Sequence, residues 1–358
     1  MTDLFQPLSF KCGAVAKNRF VLAPLTNSQS HADGRLSDDE YHWLTMRAKG
    51  GFGVTMTCAS HVQANGKGFP GQLGCFSDDH LEGLTRLAAG IKVEGSLAVL
   101  QLHHAGMRSP KEEIGGQPVC PSDNAETGAR ALTLEEVEQL KEDFIAAAVR
   151  VERAGFDGVE IHGAHGYILC QFLSPAINQR TDKYGGSLEN RARIIFDIIE
   201  GIRSRCSPGF LLGIRLSPER FDMQFAEVLE VARRLMSEAR IDFLDMSLWD
   251  SFKEPLDEAF QGKTLLSHFT ELDRGEVRLG TAGKINTADD ARRCMEAGAD
   301  FVVLGRAAIL HHDFPQQVFD NPGFEPVKLP VTKDYLRSQG LGEAFVTYMT
   351  RWSGFVKD

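Results

Sequence analysis

Eight short runs of nearly unbroken apolar character punctuate the chain, at residues 20–25, 53–57, 97–102, 158–162, 210–216, 243–247, 277–280 and 301–304. Strands buried on both faces lose the in–out alternation of a solvent-facing strand, so these runs predict a parallel sheet covered on both sides. Between them the period changes. The clearest intervening segment opens on Thr133 with Glu136 three positions later, a pair that caps a helix N-terminus reciprocally. Leu134, Val137, Leu140, Phe144, Ala148 and Val151 then recur at three- and four-residue spacing, and Gly155 closes the helix. Residues 189–205 and 225–239 repeat that period, and Thr287 with Asp290 opens a further helix running to Gly298. No linker of low complexity divides the sequence. Eight strands alternating with helices predict one (β/α)8 TIM barrel over residues 1–358. The long loops after the first, third and fourth runs then belong to the C-terminal face, where such barrels carry their active sites.

Composition narrows this without changing it. A chain of 358 residues would hold two average domains, but α/β barrels often reach that length as one. Hydrophobic residues at 42% are enough for a sizeable core. Lys and Arg number 39 against 49 Asp and Glu, a net charge of −10, which argues against nucleic acid or an anionic membrane as partner. Any anionic ligand then needs a local basic site. No stretch approaches the about 18 apolar residues of a membrane span. Residues 1–10 lack a basic region followed by a long apolar run, so no signal peptide is expected. The seven cysteines (12, 58, 75, 120, 170, 206 and 294) include no C-x-x-C pair and read as free thiols of a reducing cytosol.

Candidate chemistry sits after particular strands. Residues 279–284 read L-G-T-A-G-K after the seventh run, and 304–306 read L-G-R after the eighth. Loops after strands seven and eight commonly build the phosphate site of a TIM barrel, where glycines admit close backbone approach. Lys284 and Arg306 add the charge an anion requires. After the fourth run, residues 158–167 read G-V-E-I-H-G-A-H-G-Y, so His162, His165 and Tyr167 leave one strand end together. Two imidazoles and a phenol suit holding a carbonyl oxygen and delivering a proton. A metal-hydrolase site is the alternative for strand-end histidines. It needs ligands from other strand ends, where Asp245 is the only acidic candidate and the fifth run supplies Arg215 instead. A guanidinium is a poor neighbour for a divalent metal and a good one for an anion, so no metal is assigned.

Taken together these residues resemble the Old Yellow Enzyme family of FMN-dependent NAD(P)H oxidoreductases. The most specific stretch is 162–193, H-G-A-H-G-Y-I-L-C-Q-F-L-S-P-A-I-N-Q-R-T-D-K-Y-G-G-S-L-E-N-R-A-R. Residues 18–26 (N-R-F-V-L-A-P-L-T), Gln101, the Gly305–Arg306 pair and the opening L-F-Q-P-L match as well. The resemblance implies a non-covalently bound FMN whose ring lies across the top of the barrel. Pro24 and Leu25 would line one face, with Thr26 and the Cys58 amide at the O4 edge. Gln101 would meet the pyrimidine, and Arg215 would sit by N1 and O2. Gly283, Lys284, Gly305 and Arg306 would hold the phosphate. His162 and His165 would bind the oxygen of an α,β-unsaturated carbonyl compound, the β-carbon would take hydride from flavin N5, and Tyr167 would protonate the α-carbon. NADH or NADPH would reload the flavin in the same pocket, in a ping-pong cycle. Nitro compounds, nitrate esters or quinones are the alternative acceptors.

Within that family Thr26 stands where some members carry cysteine, and His165 where some carry asparagine, so the chain falls cleanly into no subgroup. Lacking a cysteine cluster after the barrel, it is not expected to share the iron–sulfur chemistry of longer members. His103 and His104 read as loop residues or as neighbours of the pocket, and Trp249 as a packing residue or a stacking platform. The resemblance alone carries the expectation of a homo-oligomer in which the segment from about 335, with Arg351 and Trp352, reaches a neighbouring subunit's site; the alternative is a solvated tail.

Overall fold

The structure, a computed structural model, describes residues 3–238 and 240–357. Each apolar run supplies one barrel strand: β1 Phe20–Leu22, β2 Val54–His61, β3 Leu97–His103, β4 Gly158–Gly163, β5 Leu211–Leu216, β6 Phe243–Ser247, β7 Arg278–Ala282 and β8 Phe301–Leu304. All pair in parallel in chain order, and β8 returns to β1 with Val303 opposite Val21, which closes the barrel. After each strand comes a helix that covers the outside: α1 Asp38–Lys49, α2 Leu81–Lys92, α3 Leu134–Arg153, α4 Leu188–Arg205, α5 Phe225–Ser237, α6 Leu265–Thr270, α7 Ala288–Glu296 and α8 Phe314–Asp320. The predicted start of α3 holds: Thr133 Oγ1 accepts from the Glu136 amide at 3.2 Å, and Glu136 Oε2 accepts from the Thr133 amide at 2.8 Å. Asp290 caps α7 in the same way. Ala239, the last residue of the helix expected over 225–239, lies outside the described residues.

Side-chain size decides how the barrel interior fills. Phe243 of β6 and Phe301 of β8 meet edge to face with centroids 5.9 Å apart. Gly213 and Gly280 leave them room, since a Cβ at either would lie about 2 Å from the neighbouring ring (2.1 and 2.0 Å). Below them an antiparallel hairpin, Leu8–Ser9 with Val15–Ala16, brings Phe10 to 5.9 Å from Phe243 and stops the N-terminal end. A barrel plugged at one end opens only at the other.

Two expected strands end three or more residues from where the apolar run ends. The 20–25 run pairs only to Leu22, and residues 23–25 continue as extended chain along the open face. β2 runs on to His61, with its pairing to β3 interrupted between Met56 and Ala59. Such an irregularity takes backbone out of the ladder where a site needs it. The segment past residue 330 folds onto the barrel, while Arg351 and Trp352 are exposed. Helices α9 Lys333–Ser338 and α10 Glu343–Met349 pack back on the barrel, with buried Phe345 edge-on to Trp43 at 4.9 Å and the Gly342 amide donating to Gln29 Oε1 at 2.7 Å. Among the described residues no helix is long and apolar enough to cross a membrane.

Candidate functional site

The open end of the barrel is a cleft of about 690 Å³. Pro24, Leu25 and Thr26 line one wall, Gly283 and Lys284 the far end, and Gly305 and Arg306 lie beside them. His165, Tyr167 and Arg215 line it from β4 and β5. Cys58, Gln101 and His162 are buried and do not line the cleft; His162 adjoins it through His165.

The floor is built by strand neighbours. Parallel register sets Gln101 beside Glu160 and Arg215 beside Asp245. Gln101 Nε2 donates to Glu160 Oε1 at 2.6 Å. Arg215 Nε lies 3.0 Å from Asp245 Oδ2, an ion pair without hydrogen-bond alignment. Gln101 Oε1, Arg215 Nε, Glu160 Oε2 and both Asp245 oxygens are buried without a hydrogen-bond partner. Buried polar atoms are rarely left so, and Arg215, which lines the cleft, is one that a ligand can complete. The pyrimidine edge of an isoalloxazine offers a donor N3–H and acceptors at O2 and N1, which match Gln101 Oε1 and the Arg215 guanidinium. At the other end Lys284, at φ 52°, pairs with Asp250 at 2.9 Å, whereas Arg306 has no acidic partner among the described residues. These residues fit FMN.

The upper layer comes from the turn after β4. His165 takes φ 60°, a conformation that costs a non-glycine residue energy and turns its ring back toward His162. The Ala164 amide donates to His162 Nδ1 at 3.2 Å, which assigns the ring proton to Nε2. That nitrogen stands 3.3 Å from His165 Nδ1, and His165 Nε2 is 2.7 Å from Ser247 Oγ. Tyr167 sits 5.0 Å from the His162 ring and 4.4 Å from His103, with the Arg108 guanidinium over its face at 4.8 Å. Burial holds both imidazoles well below their usual range, and the neighbouring rings and Arg215 push the same way. Burial likewise raises the Tyr167 phenol. The arrangement is therefore neutral at physiological pH, with N–H donors beside a protonated phenol. The Cys58 thiol is also driven up, by burial and then by Glu40, and stays protonated.

Several participants escape a reading of sequence alone. Glu160 lies inside an apolar run, two residues before His162 and hence on the same strand face; that spacing was the available signal, and with Asp245 it makes two acids at the floor rather than one. Arg108 and Arg220 line the cleft without any motif to announce them. His103 is buried at the end of β3, not in a loop. Trp249 is 61% exposed at the rim with Arg220 over its ring at 4.8 Å, and Tyr348 and Trp352 close that rim from the same chain.

Comparison with known proteins gives the same answer. The chain is 37% identical over 325 residues to the probable NADH-dependent flavin oxidoreductase YqiG of Bacillus subtilis, covering 88% of this chain and 87% of that protein. The Old Yellow Enzyme homologue from Zymomonas mobilis superposes with a TM-score of 0.81 at 27% identity over 97% of this chain and 99% of that one. Morphinone reductase in complex with tetrahydroNAD superposes at 0.80 and 27% identity over 100% and 98%. Residues 3–321 match the model of the NADH:flavin oxidoreductase / NADH oxidase family. With a closed barrel whose open cleft fits FMN, the chain belongs to that family, the one of the Old Yellow Enzyme homologues, and is an FMN- and NAD(P)H-dependent oxidoreductase.

Proposed function

We propose that this protein is an ene-reductase, acting on activated carbon–carbon double bonds of α,β-unsaturated carbonyl compounds. The observation that carries the reading is the layer of His162, His165 and Tyr167 above Arg215, with ring centroids of the first three 5.0–6.5 Å apart. FMN, when bound, supplies a centre that accepts a hydride and passes it on. In this reading the chain's own residues do the rest. Pro24, Leu25, Thr26 and the Cys58 amide bind one edge of the flavin, Gln101 and Arg215 the other, and Gly283, Lys284, Gly305 and Arg306 its phosphate. A fixed guanidinium there needs no reorganisation to meet developing negative charge. The imidazole N–H groups of His162 and His165 exchange their contacts with each other and with Ser247 for the acceptor's carbonyl oxygen, and so draw electron density from the β-carbon. Tyr167 holds its proton at the phenol oxygen until the α-carbon needs it.

Anaerobic stopped-flow tests this directly. The purified yellow protein is bleached with NADH or NADPH and then mixed with 2-cyclohexenone. Recovery of the flavin absorbance with the enone supports the proposal. Bleaching without recovery rejects enone reduction and moves the assignment to nitro compounds, nitrate esters or quinones.

A further inference from the structure

The floor of the cleft holds more negative charge than its cation can match. Glu160 and Asp245 are both 0% exposed, and among the described residues Arg215 is the only cation that acts on either carboxyl. Gln101 from β3 is neutral, and His162, beside Arg215 in the strand register, is held neutral by burial. Fully ionised, the group would carry one uncompensated charge in a closed apolar barrel, which desolvation strongly disfavours. One proton on either carboxyl removes that cost. Among the described residues Glu160 Oε2 and both Asp245 oxygens make no hydrogen bond, so either carboxyl is free to carry that proton.

We propose that Glu160 and Asp245 form a proton reservoir beneath the flavin, which, wherever both carboxyls are ionised, takes up one proton when reduction places negative charge above Arg215 and so links the flavin potential to pH. The inference rests on the flavin placement proposed above and not on the identity of the acceptor. Hydride transfer breaks a C4–H bond of the dihydronicotinamide and brings two electrons and one hydrogen nucleus to the ring, which becomes negative by one. Arg215 then has a second anion to neutralise. Its hold on the carboxyl pair weakens, and a solvent proton adds to Glu160, forming an O–H bond and restoring the balance. Glu160 and Asp245 touch no substrate and act through Arg215.

The sign follows from where Glu160 titrates. Burial, and after it Asp245, pushes Glu160 up to about 8. Below that pH its carboxyl is already protonated and takes up nothing on reduction; above it, reduction draws a proton in. A two-electron couple shifts by about 30 mV per pH unit for one proton and about 59 mV for two. The holoenzyme's potential is therefore expected to steepen from the first slope to the second near pH 8. Ionisation of the reduced flavin itself bends the plot in the opposite direction.

The experiment is equilibrium titration of the FMN-loaded protein against redox dyes from pH 6 to 10, for the native chain and for Glu160→Gln and Asp245→Asn. Glu160→Gln should hold one slope throughout. Asp245→Asn, which removes the like charge that raises Glu160, should move the break to lower pH. That second variant carries the test if the first does not fold. A native plot without an upward break, a break that persists in Glu160→Gln, or one that Asp245→Asn leaves in place would overturn the reservoir. The potential is read only on protein that retains FMN, and a lower melting temperature alone would not remove a break, so a purely structural role is told apart. Arg215→Gln is the separate control on flavin placement: a potential that ignores it rejects the placement, whereas a shifted potential with no Glu160 dependence rejects only the reservoir.

Discussion

Replacing Tyr167 by Phe isolates one proton. The phenol makes no hydrogen bond to the protein among the described residues, so deleting it orphans no partner and should change stability by less than about 0.5 kcal/mol. The ring keeps its contacts with His103 at 4.4 Å, His162 at 5.0 Å and Arg108 at 4.8 Å. Positioned proton donors contribute roughly 10²–10⁴-fold, which is about 2.7–5.4 kcal/mol of barrier. In stopped-flow, Tyr167→Phe should be bleached by NAD(P)H at the native rate and reoxidised by 2-cyclohexenone slower by that factor. The pH profile adds a second constraint. Burial raises a phenol whose ordinary value is about 10, so the donor form persists through neutral pH and is lost only as pH rises through the raised value. The native oxidative rate should then stay flat from pH 6 to about 7, below the range in which Glu160 titrates, because His162 and His165, held well below the usual imidazole range, also remain neutral there. An unchanged oxidative rate in the variant, or a fall in the native rate within that range, would refute Tyr167 as the acid.

Other consequences are equally direct. His162→Ala should weaken phenols that stack over the flavin by about tenfold, the worth of one hydrogen bond, read from their charge-transfer absorbance; unchanged binding would remove the histidine pair as the oxygen anchor. Gly213→Ala drives a methyl to 2.1 Å from Phe243 and should cost about 1–3 kcal/mol in thermal unfolding, with Phe243→Leu restoring part of it; an unshifted melting temperature would contradict the packing of the barrel interior. Because Trp352 closes the rim of its own chain's cleft, ending the chain at Thr350 should raise the acceptor's KM while FMN stays bound, and an unaltered KM would leave that wall without a role.

The order and number of strands were legible because each strand, buried on both faces, must be apolar along its length, a one-dimensional signal that needs no partner to be read. The same holds for the caps at Thr133 and Thr287, whose partners lie three residues away. The H-x-x-H-x-Y cluster and the two glycine turns were legible because their members are close in the chain. What stayed hidden depends on closure. Gln101, Glu160, Arg215 and Asp245 come from four strands spread over 145 positions, and only the parallel register makes them neighbours with one cation for two acids. Arg108 above Tyr167, Arg220 on Trp249, and Tyr348 with Trp352 at the rim are set by how loops fold over the open face. A charge's meaning depends on what it is buried beside, and neighbours brought together by barrel closure leave no local mark on the sequence.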